Sequence, residues 1–196
     1  MYQFAPSWSA KPTTFLCAEN LFTDDELRRI VEIGNALKME PAQAFDPIKN
    51  SYQIIDYRKC TLAYVNFEVN TKFIYEKIAT FINLENEKHF GFDIYGFEEN
   101  FQYLIYDNLD NHFEWHVDMS SGNTPYRKLT FSLQLSDPSE YEGGELQLML
   151  HKDPFTLPQK LGAIALFPSY TLHRVTHITK GIRRSLVGWV TGKAFR

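Results

Sequence analysis

Cysteine is scarce in this chain of 196 residues: the two present, Cys17 and Cys60, cannot build a disulfide framework, and neither has a CxxC partner to hold zinc or a redox dithiol. Both are expected to be buried free thiols. An excess of positive charge is missing too. A net charge of -4 and a pI near 5.9 give no long-range attraction to phosphate backbones or anionic lipids, so small molecules or proteins are expected as partners rather than nucleic acid or membrane. No apolar run approaches the roughly 18 residues that span a bilayer. The start, MYQFAPSWSAKP, has neither the basic n-region nor the apolar h-region of a secretory leader, and the expected location is cytoplasmic. Internal repeats, low-complexity tracts and linker-like stretches are also lacking, so residues 1–196 are expected to form one domain.

What is present is a chain rich in aromatics, with 16 Phe and 11 Tyr, and long enough to bury roughly 70% of its unfolded surface. Thr23-Asp24-Asp25-Glu26 has capping-box form ahead of Leu27, Ile30, Val31 and Ile33, which predicts a helix from about 24 to 38. A second helix is expected from Asn70 or Thr71, where Phe73, Ile74, Ile78, Phe81 and Ile82 share one stripe. From about Phe97 the texture becomes strand-like, with short aromatic and branched runs between Gly, Pro, Asn and Asp clusters. In Leu129 to Ser136, LTFSLQLS, apolar and polar residues alternate strictly, as on a strand with one buried face. Further strands are expected at 101–107, 114–118, 145–150, 163–167, 172–179 and 184–190, with turns at Gly143-Gly144 and Lys180-Gly181. The fold class is therefore mostly β with flanking N-terminal helices: helical support over about 20–90 and a barrel or jelly-roll core over about 97–194. The aromatic series Phe90, Phe92, Tyr95, Phe97, Phe101 and Tyr103 is expected in the core. Arg58-Lys59 reads as a solvated edge pair, with a substrate-facing role as the alternative.

His116 and Asp118, two apart in Trp115-His116-Val117-Asp118, would share one face of a strand while Val117 points away. His173, on a late strand after the turn at Phe167-Pro168-Ser169, supplies a third donor. Two histidines and one carboxylate on one face of a metal leave positions open, the arrangement of non-haem Fe(II) sites. Arg183 lies ten residues beyond His173. A tight turn at Lys180-Gly181 would fold it back beside the His173 strand, where its guanidinium can grip a carboxylate with two parallel hydrogen bonds. Ser185 and Trp189 share its parity, and Arg184, of opposite parity, is expected in solvent as the second choice of anchor.

These residues together resemble the 2-oxoglutarate and Fe(II)-dependent oxygenases of the prolyl 4-hydroxylase, PKHD-type, family. The resemblance runs from about Phe101 to Val190 and is densest in LTFSLQLSDPSEYEGGEL and LFPSYTLHRVTHITKGIR. It implies a double-stranded β-helix (jelly-roll, cupin-like) core. It implies Fe(II) on His116, Asp118 and His173, with 2-oxoglutarate as co-substrate on Arg183 and Tyr106, and ascorbate as an accessory reductant. It also implies hydroxylation of a prolyl residue in a peptide or protein, or of a free amino acid or related small molecule. Two departures from the family pattern stand out. Asp107-Asn108-Leu109-Asp110-Asn111-His112 replaces a Gly-rich loop, and His177 stands where relatives often carry proline, which leaves two late histidines to choose between. Two rival readings remain: a cupin-like metal-binding module without catalysis, and a zinc hydrolase built on His112-Phe113-Glu114-Trp115-His116, whose histidines are four apart as on a helix. In zincins the general-base Glu directly follows the first His, whereas here Phe113 does.

Overall fold

The structure, a computed structural model, describes residues 13–46, 49, 51–54, 56–119, 124 and 126–194; the opening MYQFAPSWSAKP lies outside them. β1 (Leu16–Ala18) leads to α1 (Asp24–Ala36). The helix starts where predicted because Thr23 and Glu26 close a reciprocal capping box. The Thr23 hydroxyl accepts from the Glu26 amide at 3.3 Å, and the Glu26 carboxylate accepts from the Thr23 amide at 2.8 Å, satisfying donors that a first turn leaves bare. β2 (Glu40–Pro41), β3 (Arg58–Lys59) and β4 (Thr61–Val65) precede α2 (Lys72–Glu85), which a π turn prolongs to Phe90. Then come β5 (Ile94–Gly96), β6 (Phe101–Tyr106), β7 (His112–His116), β8 (Arg127–Gln134), β9 (Tyr141–Gly143) and β10 (Leu146–Leu148). β11 (Phe155–Thr156), β12 (Ile164–Pro168), β13 (His173–Val175), β14 (Ile178–Gly181) and β15 (Arg183–Gly192) complete the series.

The strands form a major sheet in the order β1-β12-β8-β15-β6-β4-β2, with β5 beside β15, and a minor sheet in the order β11-β10-β13-β7-β3. The pair β9-β14 stands apart. One face of the major sheet is covered by the two helices. Leu27 and Ile30 of α1, with Ile74, Ile78 and Ile82 of α2, meet Phe101, Tyr103, Leu129, Phe131, Leu133, Leu186 and Val190 in one core. Each such side chain contributes roughly 1.5–3 kcal/mol by leaving water. The other face of the major sheet looks across a cavity at the minor sheet.

β8 shows the consequence. Its alternation is as expected, but both faces are buried: Leu129, Phe131 and Leu133 enter the helix-side core, and the polar set Thr130, Ser132 and Gln134 is buried against the second layer rather than in water. Other expectations shift. The strand expected at 114–118 runs from 112 to 116, and that expected at 172–179 divides into β13 and β14. Of the two cysteines, Cys60 is buried and Cys17 is exposed on edge strand β1. Of the aromatic series, Phe90, Phe101 and Tyr103 are buried and Phe92 and Phe97 pack against them, whereas Tyr95 is exposed.

Lys180-Gly181 does not make a hairpin. These residues end β14, paired to Glu142 and Tyr141, and the chain then crosses from the side of the minor sheet into the centre of the major one. Gly181 carries the crossing at φ 72°, and a Cβ there would lie 2.0 Å from the Glu140 carbonyl oxygen. Both features exclude a side chain. Gly181→Ala is expected to cost about 2 kcal/mol or more, read as a lowered midpoint of denaturant unfolding at unchanged slope. A midpoint equal to that of the parent protein refutes this account of the crossing.

Candidate metal centre

The centre is assembled across the two sheets. In the minor sheet His173 pairs with His116 and Val175 with Phe113, so three steps along β7 match two along β13. The extra residue is a β-bulge, which inverts side-chain parity. Phe113 and His116 therefore both face the cavity, with rings stacked 3.4 Å apart at 14°. Asp118 lies beyond the end of β7 instead of on the strand. Its amide and that of Met119 both donate to the Ser169 carbonyl, at 2.9 and 3.0 Å, which pins the loop; Val117 points away and is exposed.

Three donors converge. His116 Nε2 lies 3.7 Å from Asp118 Oδ1, His173 Nε2 lies 3.4 Å from Asp118 Oδ2, and the two imidazole centroids are 4.1 Å apart. Their ligand atoms all fall within 4.8 Å of one another. Each ring is locked by its far nitrogen: His116 Nδ1–H donates to the Glu114 carbonyl at 2.7 Å and His173 Nδ1–H to the Thr171 carbonyl at 2.8 Å. A carbonyl only accepts, so Nδ1 carries the bonded proton and Nε2 is the ring nitrogen turned toward Asp118 in each case. Thr130 of β8 donates to Asp118 Oδ2 at 2.7 Å and meets Ser169 Oγ at 3.0 Å, while Arg127 reaches the Asp118 carbonyl at 3.2 Å.

Electrostatics favour the ligating forms of His116 and Asp118. Burial, then repulsion from His173, pulls the His116 imidazole down to about 3, against the attraction of Asp118 and the Glu114 carbonyl. For Asp118 burial acts upward, but His173, His116, Arg127 and the Thr130 hydroxyl together outweigh it and hold the carboxyl at about 2. Near neutral pH the cluster is a neutral imidazole beside an ionised, nearly inaccessible carboxylate. Such a buried anion calls for a cation.

On the facing sheet, Arg183 pairs in register with Tyr106 on the neighbouring strand β6, and its guanidinium carbon lies 5.4 Å from the Tyr106 ring centre. Arg183 is buried, yet its Nη1 has no hydrogen-bond partner; the same holds for Ser185 Oγ and Trp189 Nε1 on the same face of β15. All three line the cavity with the metal donors. Tyr106 is fully enclosed, and burial, with Cys60 beside it, keeps its phenol protonated far above the usual tyrosine range. Unmatched buried polar atoms along one wall are donors awaiting an acceptor.

The expectation that Arg183 returns beside the His173 strand is corrected: it sits in the opposite sheet and faces the metal donors across the cavity. Arg184 is not in solvent either. It is half-buried on the helix side, hydrogen-bonded to Tyr103, because that face of the major sheet is itself covered. Arg58 is a cavity residue, its guanidinium 4.8 Å over the Phe113 ring, with bonds to Gln102 at 2.8 Å and to the Gln43 carbonyl at 2.9 Å. Lys59 faces outward to Asp110. His177 lies outside the cluster, against His112. The hydrolase reading of His112 to His116 fails because the segment is a strand whose two histidines face opposite ways. Sequence reasoning missed Thr130, Ser132, Gln102, Phe113 and Arg127. The polar stripe of LTFSLQLS was the available signal for the first two.

Residues 101–191 match the profile of the 2OG-Fe(II) oxygenase superfamily. A PKHD-type hydroxylase of Synechococcus sp. (strain CC9311) is 41% identical over 81 residues, 40% of this chain and 36% of that protein. A second, from Parvibaculum lavamentivorans, is 45% identical over 62 residues, 32% of this chain and 28% of the relative. The chain thus spans about a third of the length of the curated relatives it matches. Among solved structures, a Pseudomonas putida prolyl-4-hydroxylase superposes with a TM-score of 0.72 at 15% identity, covering 92% of this chain and 94% of that one. A Trichoplax adhaerens prolyl hydroxylase, solved with a hypoxia inducible factor oxygen degradation domain peptide fragment, gives 0.75 at 14% identity over 91% of this chain and 84% of that one. By sequence over residues 101–191, and by fold over about nine-tenths of the chain, this protein resembles the 2OG-Fe(II) oxygenases of the PKHD and prolyl 4-hydroxylase type.

Proposed function

We propose that the protein is an Fe(II)- and 2-oxoglutarate-dependent dioxygenase that hydroxylates a prolyl residue in a peptide or protein, or a free amino acid or related small molecule. In this reading it is one domain with a double-stranded β-helix core over about 97–194. The observation that carries it is the pairing, inside one cavity, of a His-Asp-His donor set with a buried guanidinium whose Nη1 lacks a partner. His116, Asp118 and His173 would hold the iron. When bound there, ferrous iron and 2-oxoglutarate supply oxygen activation, converting a substrate C–H to C–OH with release of succinate and carbon dioxide.

The chain's own part is placement and exclusion of water. Arg183 offers a charge-assisted hydrogen bond to the distal carboxylate of the diacid, and the protonated Tyr106 hydroxyl and Ser185 offer neutral donors to the same group. Trp189 and Phe167 wall the cavity, and Phe113 backs the His116 ring. Thr130 fixes the Asp118 carboxylate, and the carbonyls of Glu114 and Thr171 hold the Nδ1 protons, so it is Nε2 of each ring that is turned toward the metal position. Arg58, beside Gln102, lies on the substrate side. The peptide-bound prolyl hydroxylase relative supports a prolyl substrate over the small-molecule alternatives. A cupin-like module without catalysis leaves Arg183 Nη1, Ser185 Oγ and Trp189 Nε1 buried for no purpose.

The decisive measurement is oxygen-dependent succinate formation with Fe(II), with and without ascorbate; none in the presence of candidate prolyl peptides and cell extract defeats the proposal. His173→Ala is expected to abolish iron binding and turnover with the fold intact, while His177→Ala retains iron at the buried centre. Equal loss in both would reassign the ligand. Arg183→Ala is expected to weaken 2-oxoglutarate binding by about 3 kcal/mol, roughly a hundredfold, and Arg184→Ala to leave it unchanged; the reverse pattern would move the anchor to Arg184.

A further inference from the structure

The bulge that turns Phe113 and His116 into the cavity turns His112 and Glu114 out of it. On this outer side a second set of donors gathers. The imidazoles of His112 and His177 stack with centroids 4.0 Å apart at 20°, and Asp110, His112 and His177 offer ligand atoms that all lie within 4.8 Å of one another. Glu114 Oε1 lies 3.8 Å from His112 Nε2 and 3.7 Å from His177 Nε2, and Asp110 Oδ1 lies 3.9 Å from His177 Nδ1. We propose that Asp110, His112 and His177 form a second metal site for a zinc-class divalent ion, on the outer side of the strand that carries His116.

Two histidines and one carboxylate match the nitrogen and oxygen donor set that zinc takes, with a fourth position left open. The donors are held before any ion arrives. His112 is buried and its Nδ1–H donates to the Asp110 carbonyl at 2.7 Å, so its Nε2 lone pair is presented outward, the same device that orients His116 and His173. Lys59 occupies Asp110 Oδ2 at 2.5 Å, leaving Oδ1 toward His177. The loop bearing Asp110 is tied down by Asn111, whose Oδ1 accepts from the amides of Asp107 at 2.9 Å and Asn108 at 3.1 Å. Its carbonyl accepts from the Ile178 amide at 3.0 Å. The ion would therefore join the loop between β6 and β7 to the turn between β13 and β14, two segments that flank the catalytic strands. His177 is half-exposed, so its ring can turn onto an ion without disturbing the core.

Zinc alone, titrated against a competing chelator and counted by elemental analysis, tests this on the full chain. The inference predicts two zinc equivalents per chain, one at each cluster. His177→Ala should remove one equivalent, Asp118→Ala the other, and the double variant both. Asp110→Asn should weaken the outer site at least tenfold while the parent stoichiometry returns at higher zinc. Cobalt(II) in place of zinc should show visible absorption in Asp118→Ala that His177→Ala,Asp118→Ala lacks. One equivalent in the parent, lost in Asp118→Ala and kept in His177→Ala, overturns the second site. One equivalent lost in His177→Ala and kept in Asp118→Ala supports the outer site and instead defeats the ligand assignment at the buried centre.

Discussion

The cavity depends on one carboxylate. Asp118 leaves the end of a minor-sheet strand and is held by a hydroxyl of the major sheet, Thr130 at 2.7 Å, while its two oxygens face the His116 and His173 imidazoles at 3.7 and 3.4 Å. This is a bridge between two layers, and it is made by a charged group that is almost wholly buried. A buried carboxylate is tolerated only where hydrogen bonds and opposite charge meet it. The loop amides on Ser169, the Thr130 hydroxyl and the Arg127 contact to the backbone carbonyl all serve that condition. Arg127 is in turn clamped by Glu99 and lies 3.7 Å over the Trp189 ring. The geometry of the donor set is thus continuous with the wall that carries Arg183, through Trp189 on the same strand.

Much of this was legible in the chain. The capping box at Thr23 and the LTFSLQLS alternation each state a local rule that tertiary context did not override. The choice of Arg183 over Arg184 rested on parity along one strand, and parity held because β15 runs without a bulge from Arg183 through Val190 beside β8 and β6. Where parity is not continuous, alternation alone misleads. Period-two counting puts His112, Glu114 and His116 on one face, and only the extra residue between Phe113 and His116 separates them. A bulge has no reliable signature in a single sequence, since it reflects how β7 meets β13, not what β7 prefers alone. The same is true of Arg184. Alternation says which residues share a face but not what covers that face, and both sides of β15 turned out to be covered.

The crossing at Gly181 illustrates a further limit. A Lys-Gly pair signals a turn by composition, and Gly181 does adopt a left-handed conformation. What composition does not report is where the chain goes next. It does not return beside β13. It enters the middle of the major sheet, which sets the guanidinium across the cavity from the imidazoles instead of next to them. That separation is what gives the cavity two chemically different ends, a donor set for a cation on one sheet and a set of unmatched hydrogen-bond donors for an anion on the other. Had Arg183 followed a hairpin beside His173, its positive charge would have opposed any ion placed there.

Three histidines in this chain are oriented in one way. His112, His116 and His173 each give their Nδ1–H to the carbonyl two residues earlier, at 2.7 to 2.8 Å. An extended backbone brings that carbonyl within reach of the ring nitrogen, so the lock needs no residue from elsewhere in the fold, and it presents Nε2 away from the strand in every case. The bulge then decides which side of the sheet each Nε2 serves. His177 is the exception: its Nδ1 faces the Asp110 carboxylate, and its ring is positioned by stacking on His112. The loop ending at His112 and the histidine at 177, far apart in the chain, are therefore one place in space. A single local rule, applied on both sides of one strand, yields a buried donor set facing the cavity and a solvent-side donor set behind it.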